Sequence, residues 1–246
     1  MLKLGVLIIG SFAVYLNGFS QGAIPEVVRS QETLRGLYNG IGGSEILYGI
    51  ALPPADLVGD SYLNANWKRS SVMLYQDEKL LEGYLTRYDI GENMIQFKTK
   101  NGAKIIDGDK IKSLVWIDTL SQARSYLINA KEYKNEEDVQ MSGFFEVLSD
   151  GSLPFFKKTE ISIKKANYVM QFDVGNKDDV IKKTVHYYYE QAGRVFIVPS
   201  NKKKIMQLFK GKEEEIKDFV KTNSLDISQE HHLNSVFEKY NLLAKE

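Results

Sequence analysis

The chain has 246 residues, with 32 basic and 32 acidic side chains, a formal net charge of zero and no cysteine. A balanced charge argues against nucleic-acid binding, which needs an excess of basic side chains to displace counterions from phosphates. The absence of cysteine excludes disulfides, thiolate metal ligands, a cysteine nucleophile and lipid attachment at a cysteine. A chain of this length can bury one sizeable core or two small ones.

The first twenty residues have the features of a signal peptide. Lys3 precedes an apolar run over residues 4–16, which is shorter than the roughly twenty residues of a membrane-spanning helix. Residues 18–20 offer a small-x-small cleavage site between Ser20 and Gln21. We therefore expect an exported protein, periplasmic or associated with the outer membrane, with no transmembrane span after cleavage; an uncleaved anchor is the alternative. Export without cysteine favours a bacterial periplasm or exterior.

Residues 21–58 are predicted to form an N-terminal helix and a linker. Apolar residues recur at helical spacing over residues 26–38, and a cluster of glycines over residues 40–43 ends the pattern. Pro53-Pro54 then breaks any regular element before residue 59.

Residues 59–199 are predicted to form an antiparallel β body. Short alternating segments are separated by turn signals, among them Asn101-Gly102 and Asp150-Gly151. No helical pattern lies between these strands, which disfavours a parallel sheet and favours a barrel- or sandwich-like body. The charged stretch 129–140 is predicted to be a loop or a short surface helix. The strands are predicted at residues 70–75, 80–90, 94–100, 103–106, 111–118, 124–129, 142–149, 155–163, 167–174, 183–190 and 194–199.

Residues 200–246 are predicted to form a C-terminal unit of three short amphipathic helices. The apolar stripes lie over residues 202–210, 213–222 and 228–243, with Ser228 as an N-cap. Helices of this length are marginal alone, so we expect them to pack on the β body. The predicted fold class is therefore α+β, mainly β.

Three histidines are the first candidates for catalysis or metal binding. His186 lies in a strand pattern that shows neither a nucleophile nor an orienting carboxylate nearby, so a structural role is favoured. His231 and His232 are neighbours on a helix and point about 100° apart, so they do not form the i, i+4 pair that shares a metal. The sequence predicts no catalytic residue, no metal and no cofactor, although paired carboxylates of glycosidase type stay open because their spacing is spatial.

Tyrosine is frequent, with 14 residues in the chain. The run from Tyr187 to Tyr189 places rings on both faces of a strand, so one face could stack on a sugar or a peptide, with Tyr188 as the candidate. The structural alternative, which we favour, is that tyrosine suits half-buried strands in general.

The segment GDSYLNANW, residues 59–67, is the second candidate for binding. Tyr62, Asn64 and Trp67 offer rings and amides before the first clear strand. The favoured alternative is structural: Tyr62, Leu63 and Trp67 cover the core, while Asn64 and Asn66 hydrogen-bond the backbone of a turn.

The pattern Gly59-x-Ser61-Tyr62-Leu63-Asn64, followed by Trp67 and by Arg87-Tyr88-Asp89-Ile90, resembles a signature in a group of exported Bacteroidetes proteins that have no established activity. The ending Phe237-x-x-Tyr240-Asn241 extends the resemblance over about residues 55–243. Two departures are the missing proline after Ser61 and the absence of glycine from residues 76–78. The resemblance implies an exported location and the fold, and it adds Arg87 and Tyr88 to the candidate binding residues.

Together these features favour a non-catalytic protein of the cell envelope that binds or holds another envelope protein. A barrel-type binder of a lipid or glycan is one alternative. An exported hydrolase with a site assembled in space is another, supported by His186 and the acidic turns.

Overall fold

The computed structural model describes residues 56–118, 121–168 and 174–245, which form a large β-sheet and three helices. The mainly β fold class with three C-terminal helices is confirmed. The strands are β1 (Leu57–Val58), β2 (Lys68–Leu74), β3 (Leu80–Asp89), β4 (Met94–Thr99), β5 (Gly102–Asp107), β6 (Ile111–Ile117), β7 (Arg124–Asn129), β8 (Lys134–Asn135), β9 (Phe144–Ser149), β10 (Phe155–Lys164), β11 (Asp179–Gln191) and β12 (Arg194–Ile197). The helices are α1 (Lys202–Met206), α2 (Glu213–Thr222) and α3 (Glu230–Leu243).

The strands form one sheet in the order β5-β4-β3-β2-β6-β7-β9-β10-β11-β12-β8, with β1 beside β11. Of the strand pairs in the described ranges, β1–β11 and β12–β8 are parallel and the rest are antiparallel. Among the described strands, β5 and β8 end the sheet without pairing with each other, so the predicted barrel is wrong. The single sheet also differs from the two facing sheets of a sandwich. The physical reason is the connectivity: β5 and β8, which end the strand order, are both followed in the chain by strands that pair elsewhere in the sheet, so neither edge is brought beside the other.

One face of the sheet curls around a first core. Although β2, β6 and β7 lie between β3 and β9, the rings of Tyr88 and Phe144 on these two strands are only 5.0 Å apart. Side chains fill the space inside this curl, so the curl holds a packed core. The first core consists of Val72, Tyr88, Ile95, Phe97, Ile111, Leu114, Trp116, Leu127 and Phe144.

The three helices pack on the sheet around a second core. Phe155 of β10 stacks on Phe237 of α3 with the ring centres 4.2 Å apart. Helix α1 ends at Met206, earlier than predicted, and Gln229 instead of Ser228 occupies the N-cap position of α3. The second core consists of Leu153, Phe155, Ile205, Phe209, Ile216, Ile227, Leu233, Val236 and Phe237.

Most predicted strands have a counterpart, but the one at residues 167–174 falls mainly on residues outside the described ranges. Next to that segment, the Asn167 side chain accepts the N–H of Asn176 at 2.8 Å, and the N–H of Asn167 donates to the Asn176 carbonyl at 3.0 Å. Residues 169–173 lie outside the described residues, as do the predicted signal peptide and the predicted helix at 26–38. No helix within the described ranges has the length and apolar character needed to cross a membrane.

Strands β4 and β5 form a hairpin, as predicted, but its two-residue loop is Lys100-Asn101, because Gly102, at φ 106°, already pairs with Thr99. The turn between β2 and β3 is different, because Asp77 and Glu78 take positive φ values of 55° and 47° without a glycine. A positive φ is unfavourable for side chains other than glycine, asparagine and aspartate.

Strands β9 and β10 separate part-way along their length. They pair only where Phe155–Lys157 of β10 meets Glu146–Ser149 of β9. Before Glu146, Phe144 and Phe145 pair with β7, and Gly143 turns the chain away at φ 76°. We call this divergence the fork. Beyond Lys157, β10 continues to Lys164 with β11 on one side and no described strand on the other.

Candidate functional site

The candidate residues of segment 59–67 lie on the outer face of β3 and β4. Side chains alternate along these strands, so Tyr88 and Ile95 point into the first core while Arg87 and Gln96 point away from it. Segment 59–67 crosses this outer face, held by hydrogen bonds from Leu63 N–H to the Tyr88 carbonyl and from Ile90 N–H to the Ser61 carbonyl, of 2.9 and 2.8 Å.

The guanidinium of Arg87 lies between two aromatic rings. Its central carbon is 4.1 Å from the ring centre of Tyr62 and 4.2 Å from that of Trp67. Arg87 Nη2 donates to Gln96 Oε1 at 2.8 Å, and Gln96 Nε2 donates to the Tyr62 hydroxyl at 3.0 Å. Because Tyr62, Arg87 and Gln96 are buried, this arrangement, which we call the Arg87 cluster, can fix segment 59–67 on the sheet.

Asn64 and Trp67 keep partial exposure at the rim of the Arg87 cluster. Asn64 Oδ1 accepts the N–H of Asn66 at 2.9 Å, which is the turn role that the structural alternative predicts. Leu63 packs against the first core. Tyr62 and Trp67 instead cover the outer face of the sheet, so the segment does not close the end of the core.

Tyr88 lies on the other side of β3, apart from the Arg87 cluster. Its ring packs edge-on against Phe144, and its hydroxyl donates to Asn93 Oδ1 at 3.1 Å. Burial, followed by the nearby charges of Asp89 and Asp109, raises the pKa of the Tyr88 hydroxyl. A tyrosine kept neutral in this way acts here as a hydrogen-bond donor.

The fork opens a cleft of about 660 Å³ between the β3–β4 turn and β10. Tyr88, Ile90 and Phe144 form one wall, residues 158–163 of β10 form the other, and Ser142 lies at the rim. This volume lies within the range of small-ligand sites, about 300 to 1,000 Å³. We call this space the fork cleft.

Charged groups line the β10 wall of the fork cleft. Lys158 forms an ion pair with Glu160. His186 is the cross-strand partner of Lys158, and its Nε2 lies 3.9 Å from Glu160 Oε2, beyond hydrogen-bond distance. This contact is therefore not the tightly oriented base of a nucleophilic site, and the exported hydrolase stays a prediction without a further observation in its favour.

Tyr188 lies apart from the other candidates, in a third cluster on the opposite face of the sheet. It is 7% exposed, and its ring centre is 5.3 Å from that of Phe145, which stacks on Phe156. The structure thus brings Tyr62, Trp67 and Arg87 together, places Tyr88 behind them in the fork cleft, and separates Tyr188 from both.

The two helical histidines contact each other and a neighbouring loop. Their ring centres are 4.0 Å apart, and His232 Nδ1 accepts the N–H of Asp226 at 3.1 Å. Within the described ranges, no group of three or more histidine, aspartate or glutamate side chains is placed to hold a metal ion.

A second cleft of about 980 Å³ lies along β5, which is an edge strand among the described residues. Its walls are mainly apolar, with aspartates and lysines at the rim. We call it the β5 cleft. Its apolar side chains are Leu74, Tyr75, Met94, Ala103, Ile105 and Ile106.

Sequence reasoning found Tyr88 but missed both clefts. The fork cleft lies where two strands separate and the β5 cleft lies at a sheet edge, and pairing between distant segments leaves little trace in one sequence. One available signal was Gly143, which interrupts the predicted strand at residues 142–149. No protein-family model, curated protein or solved structure matches this chain. The resemblance to exported Bacteroidetes proteins therefore stays a prediction.

Proposed function

We propose that this chain is a non-catalytic binding protein of the cell envelope and that the fork cleft holds its partner. The proposal includes export by the signal peptide of residues 1–20 and a periplasmic or outer-membrane-associated location. The observation that carries it is the fork cleft itself. It combines an apolar wall, a charged wall and an open strand edge in one concave space, as binding sites do.

The walls of the fork cleft are supported from behind. Tyr88 is anchored by Asn93 and Phe144, and the Arg87 cluster fixes the opposite side of the same strand. A site built on such rigid elements loses little conformational entropy when a partner binds. In this proposal the Arg87 cluster supports the site and does not itself contact the partner.

A photocrosslinking experiment tests this function. A photoreactive phenylalanine analogue replaces Ser142 at the rim of the fork cleft, or replaces Ser152 as the control, in the cells that make the protein. Both serines are exposed, and they lie beyond opposite ends of β9, whose six residues span about 20 Å. We expect a discrete crosslinked product from position 142 and none from position 152. Equal products at both positions, or none at either, would contradict a partner in the fork cleft.

The β5 cleft favours a second candidate function, the binding of a lipid. Its apolar side chains could hold an acyl chain, although in an open cleft instead of the barrel interior expected from the sequence. Native mass spectrometry of protein purified from its own envelope tests this candidate. A bound lipid mass that disappears in Ile105→Lys supports it, whereas a bare protein mass from wild type removes it.

A further inference from the structure

We propose that the occupant of the fork cleft is an extended polypeptide segment that pairs with β10 as an added strand. This inference rests on the proposed function and names the chemistry of the partner. It begins from the backbone of β10. Between Lys158 and Lys164 this strand pairs with β11 on one side, while the described residues provide no partner on the other side. Its outward N–H and C=O groups are therefore available to another backbone.

The position of β9 shows that a strand fits beside β10. Where Phe155–Lys157 pairs with β9, the two strands are neighbours in the same sheet. Gly143 then turns the chain away from β10. The strand position that β9 occupies beside Phe155–Lys157 therefore continues, beside residues 158–163, as the fork cleft. A strand needs about 4.8 Å of width in this direction. An added strand would thus extend the line of β9 along residues 158–163.

The side chains of the fork cleft specify the pattern of the segment. On one face of β10, Ile161 and Ile163 point to the same side of the sheet as Tyr88 and Phe144. A bound strand would place every second side chain against this apolar surface. We therefore expect apolar residues at alternate positions of the segment.

The other face of β10 is polar and carries both signs of charge. Lys158, Glu160 and Ser162 alternate with the isoleucines along the strand. Because Lys158 and Glu160 form an ion pair with each other, this face carries no net charge, and we expect polar side chains on the bound strand here. The backbone edge of residues 158–164, which pairs with β11 alone among the described strands, favours a polypeptide over a lipid or a glycan, because another backbone supplies matching N–H and C=O groups.

Two proline substitutions test the strand edge. Amide N–H groups along a strand point alternately to its two sides, so of Thr159→Pro and Glu160→Pro one removes a hydrogen bond to β11 and the other removes an outward N–H. The first variant should have a lower Tm, and the second should keep a Tm close to that of wild type. The variant that keeps its Tm is the edge variant, and the other is the folding control. If both lower the Tm, backbone methylation of the ligand, described next, takes the place of the edge variant.

The probe is a display library of nine-residue peptides selected against the wild-type protein. We expect selected peptides with apolar residues at alternate positions, and an affinity about tenfold lower for the edge variant and for peptides N-methylated at alternate backbone positions. Methylation removes backbone donors and leaves the side chains unchanged. A library without binders, or binders insensitive to N-methylation, overturns the inference.

Three further outcomes would contradict the inference, and they differ in what they say about the proposed function. Wild type that sediments as a dimer, with an edge variant that sediments as a monomer, makes a second copy of the chain the occupant and overturns the inference. A crosslink at position 142 without selected peptides leaves the proposed function standing and rejects only the polypeptide segment. Absence of the crosslink rejects both.

Discussion

At the residue scale, Arg87 is a buried charge whose position depends on contacts between its planar guanidinium and two aromatic rings. The guanidinium stacks between Tyr62 and Trp67 and bonds Gln96, and only 5% of the residue is exposed. Lysine carries the same charge without the planar surface or the forked donors. A buried charge that loses its hydrogen bonds and ring contacts lowers the stability of the folded protein.

We expect Arg87→Lys to lower the free energy of unfolding by about 2 to 4 kcal/mol. Chemical denaturation measures this change. Lys98→Arg is the control, because Lys98 is exposed and its ammonium lies 5.9 Å from the Trp67 ring centre. The control should change the free energy of unfolding by less than about 0.5 kcal/mol. If the two substitutions have the same effect, stacking does not stabilise segment 59–67.

Gly143 matters for a different reason, the space in front of Tyr88. Its φ is 76°, and a Cβ at this position would lie 2.9 Å from the Tyr88 hydroxyl. Gly193 has a nearly identical φ of 77°, but a Cβ there would contact nothing within 4 Å. The two glycines share the backbone cost of a positive φ and differ in the steric contact.

Gly143→Ala should therefore destabilise the protein more than Gly193→Ala, by about 1 to 2 kcal/mol. Thermal or chemical unfolding of the two variants gives the difference directly. The Gly143 variant should also weaken binding in the fork cleft, because the displaced Tyr88 lines it. Equal destabilisation would show that Tyr88 moves away freely.

Gln96 shows where residue-level prediction stops. The alternation in β4 correctly separates Ile95 and Phe97 from Gln96 and Lys98. Gln96 is nevertheless only 3% exposed, because segment 59–67 covers it. Periodicity predicts which face of the strand a side chain lies on. It does not predict that this face is buried by a segment more than thirty positions earlier in the chain.

At the element scale, helix α3 is attached to the sheet by polar contacts as well as by the second core. Buried Asn241 accepts the Leu153 N–H at 2.8 Å and donates to the Leu153 carbonyl and to Ser149 Oγ, each at 3.0 Å. At the other end of α3, Glu230 accepts the Tyr187 hydroxyl at 2.6 Å and pairs with Lys157 at 2.9 Å. The two ends together set the position of α3 on β10 and β11.

The pair formed by Tyr187 and Glu230 predicts a pH window. Burial raises the pKa of Glu230, but the contacts with Tyr187 and Lys157 outweigh it and leave the pKa below the ordinary 4.5. Burial and the bond to Glu230 raise the pKa of Tyr187 above 10.0. Stability from Glu230 is therefore present above about pH 4.5 and lost as the pH falls, and stability from Tyr187 is present below about pH 10 and lost as it rises.

Urea denaturation across this range measures the pH dependence. Glu230→Gln should flatten the acid limb of the stability curve, since the amide has no carboxylate to protonate. Tyr187→Phe should flatten the alkaline limb. Glu238→Gln is the acid control, because Glu238 is exposed on the same helix. If Glu238→Gln flattens the acid limb as much as Glu230→Gln, the contact with Tyr187 and Lys157 is not the cause.

Regular elements were predictable where their pattern was long and local. The hairpin between β4 and β5 and the amphipathic helix at Glu213–Thr222 have a strong local signal and occur as predicted, although the hairpin loop lies one residue earlier than Asn101-Gly102. The two-residue strands β1 and β8 were missed because two residues carry no periodicity.

At the scale of the whole molecule, β9 joins the two cores. Phe144 at its start belongs to the first core, and Leu148 near its end packs against the second. The two residues lie on the same face of one strand, so a change in the packing of either core also acts on the backbone of β9.

We expect this shared strand to make unfolding a single cooperative transition. Phe144→Ala and Phe237→Ala, one in each core, should each lower the free energy of unfolding by about 3 to 5 kcal/mol. Fluorescence and far-UV circular dichroism should follow coincident curves in both variants. Two separate transitions, with each substitution moving only one, would show that the cores unfold independently.

The overall arrangement was only partly predictable. Composition and strand spacing indicate an antiparallel β body followed by helices, and this is the arrangement observed. Closure of the sheet was not predictable, because it depends on whether β5 and β8 meet, and these strands are more than twenty residues apart along the chain. The fork has the same origin, since β9 divides its pairing between β7 and β10.

The fork has a consequence for the chemistry of individual amides in β10. Its outward amides at Phe155–Lys157 face β9, whereas those between Lys158 and Lys164 have no described strand on that side. Deuterium from heavy water should therefore enter one half of this strand far faster than the other, although both halves share the same partner in β11. A bound segment would slow the faster half, so the isotope content of one strand would report whether the protein is occupied.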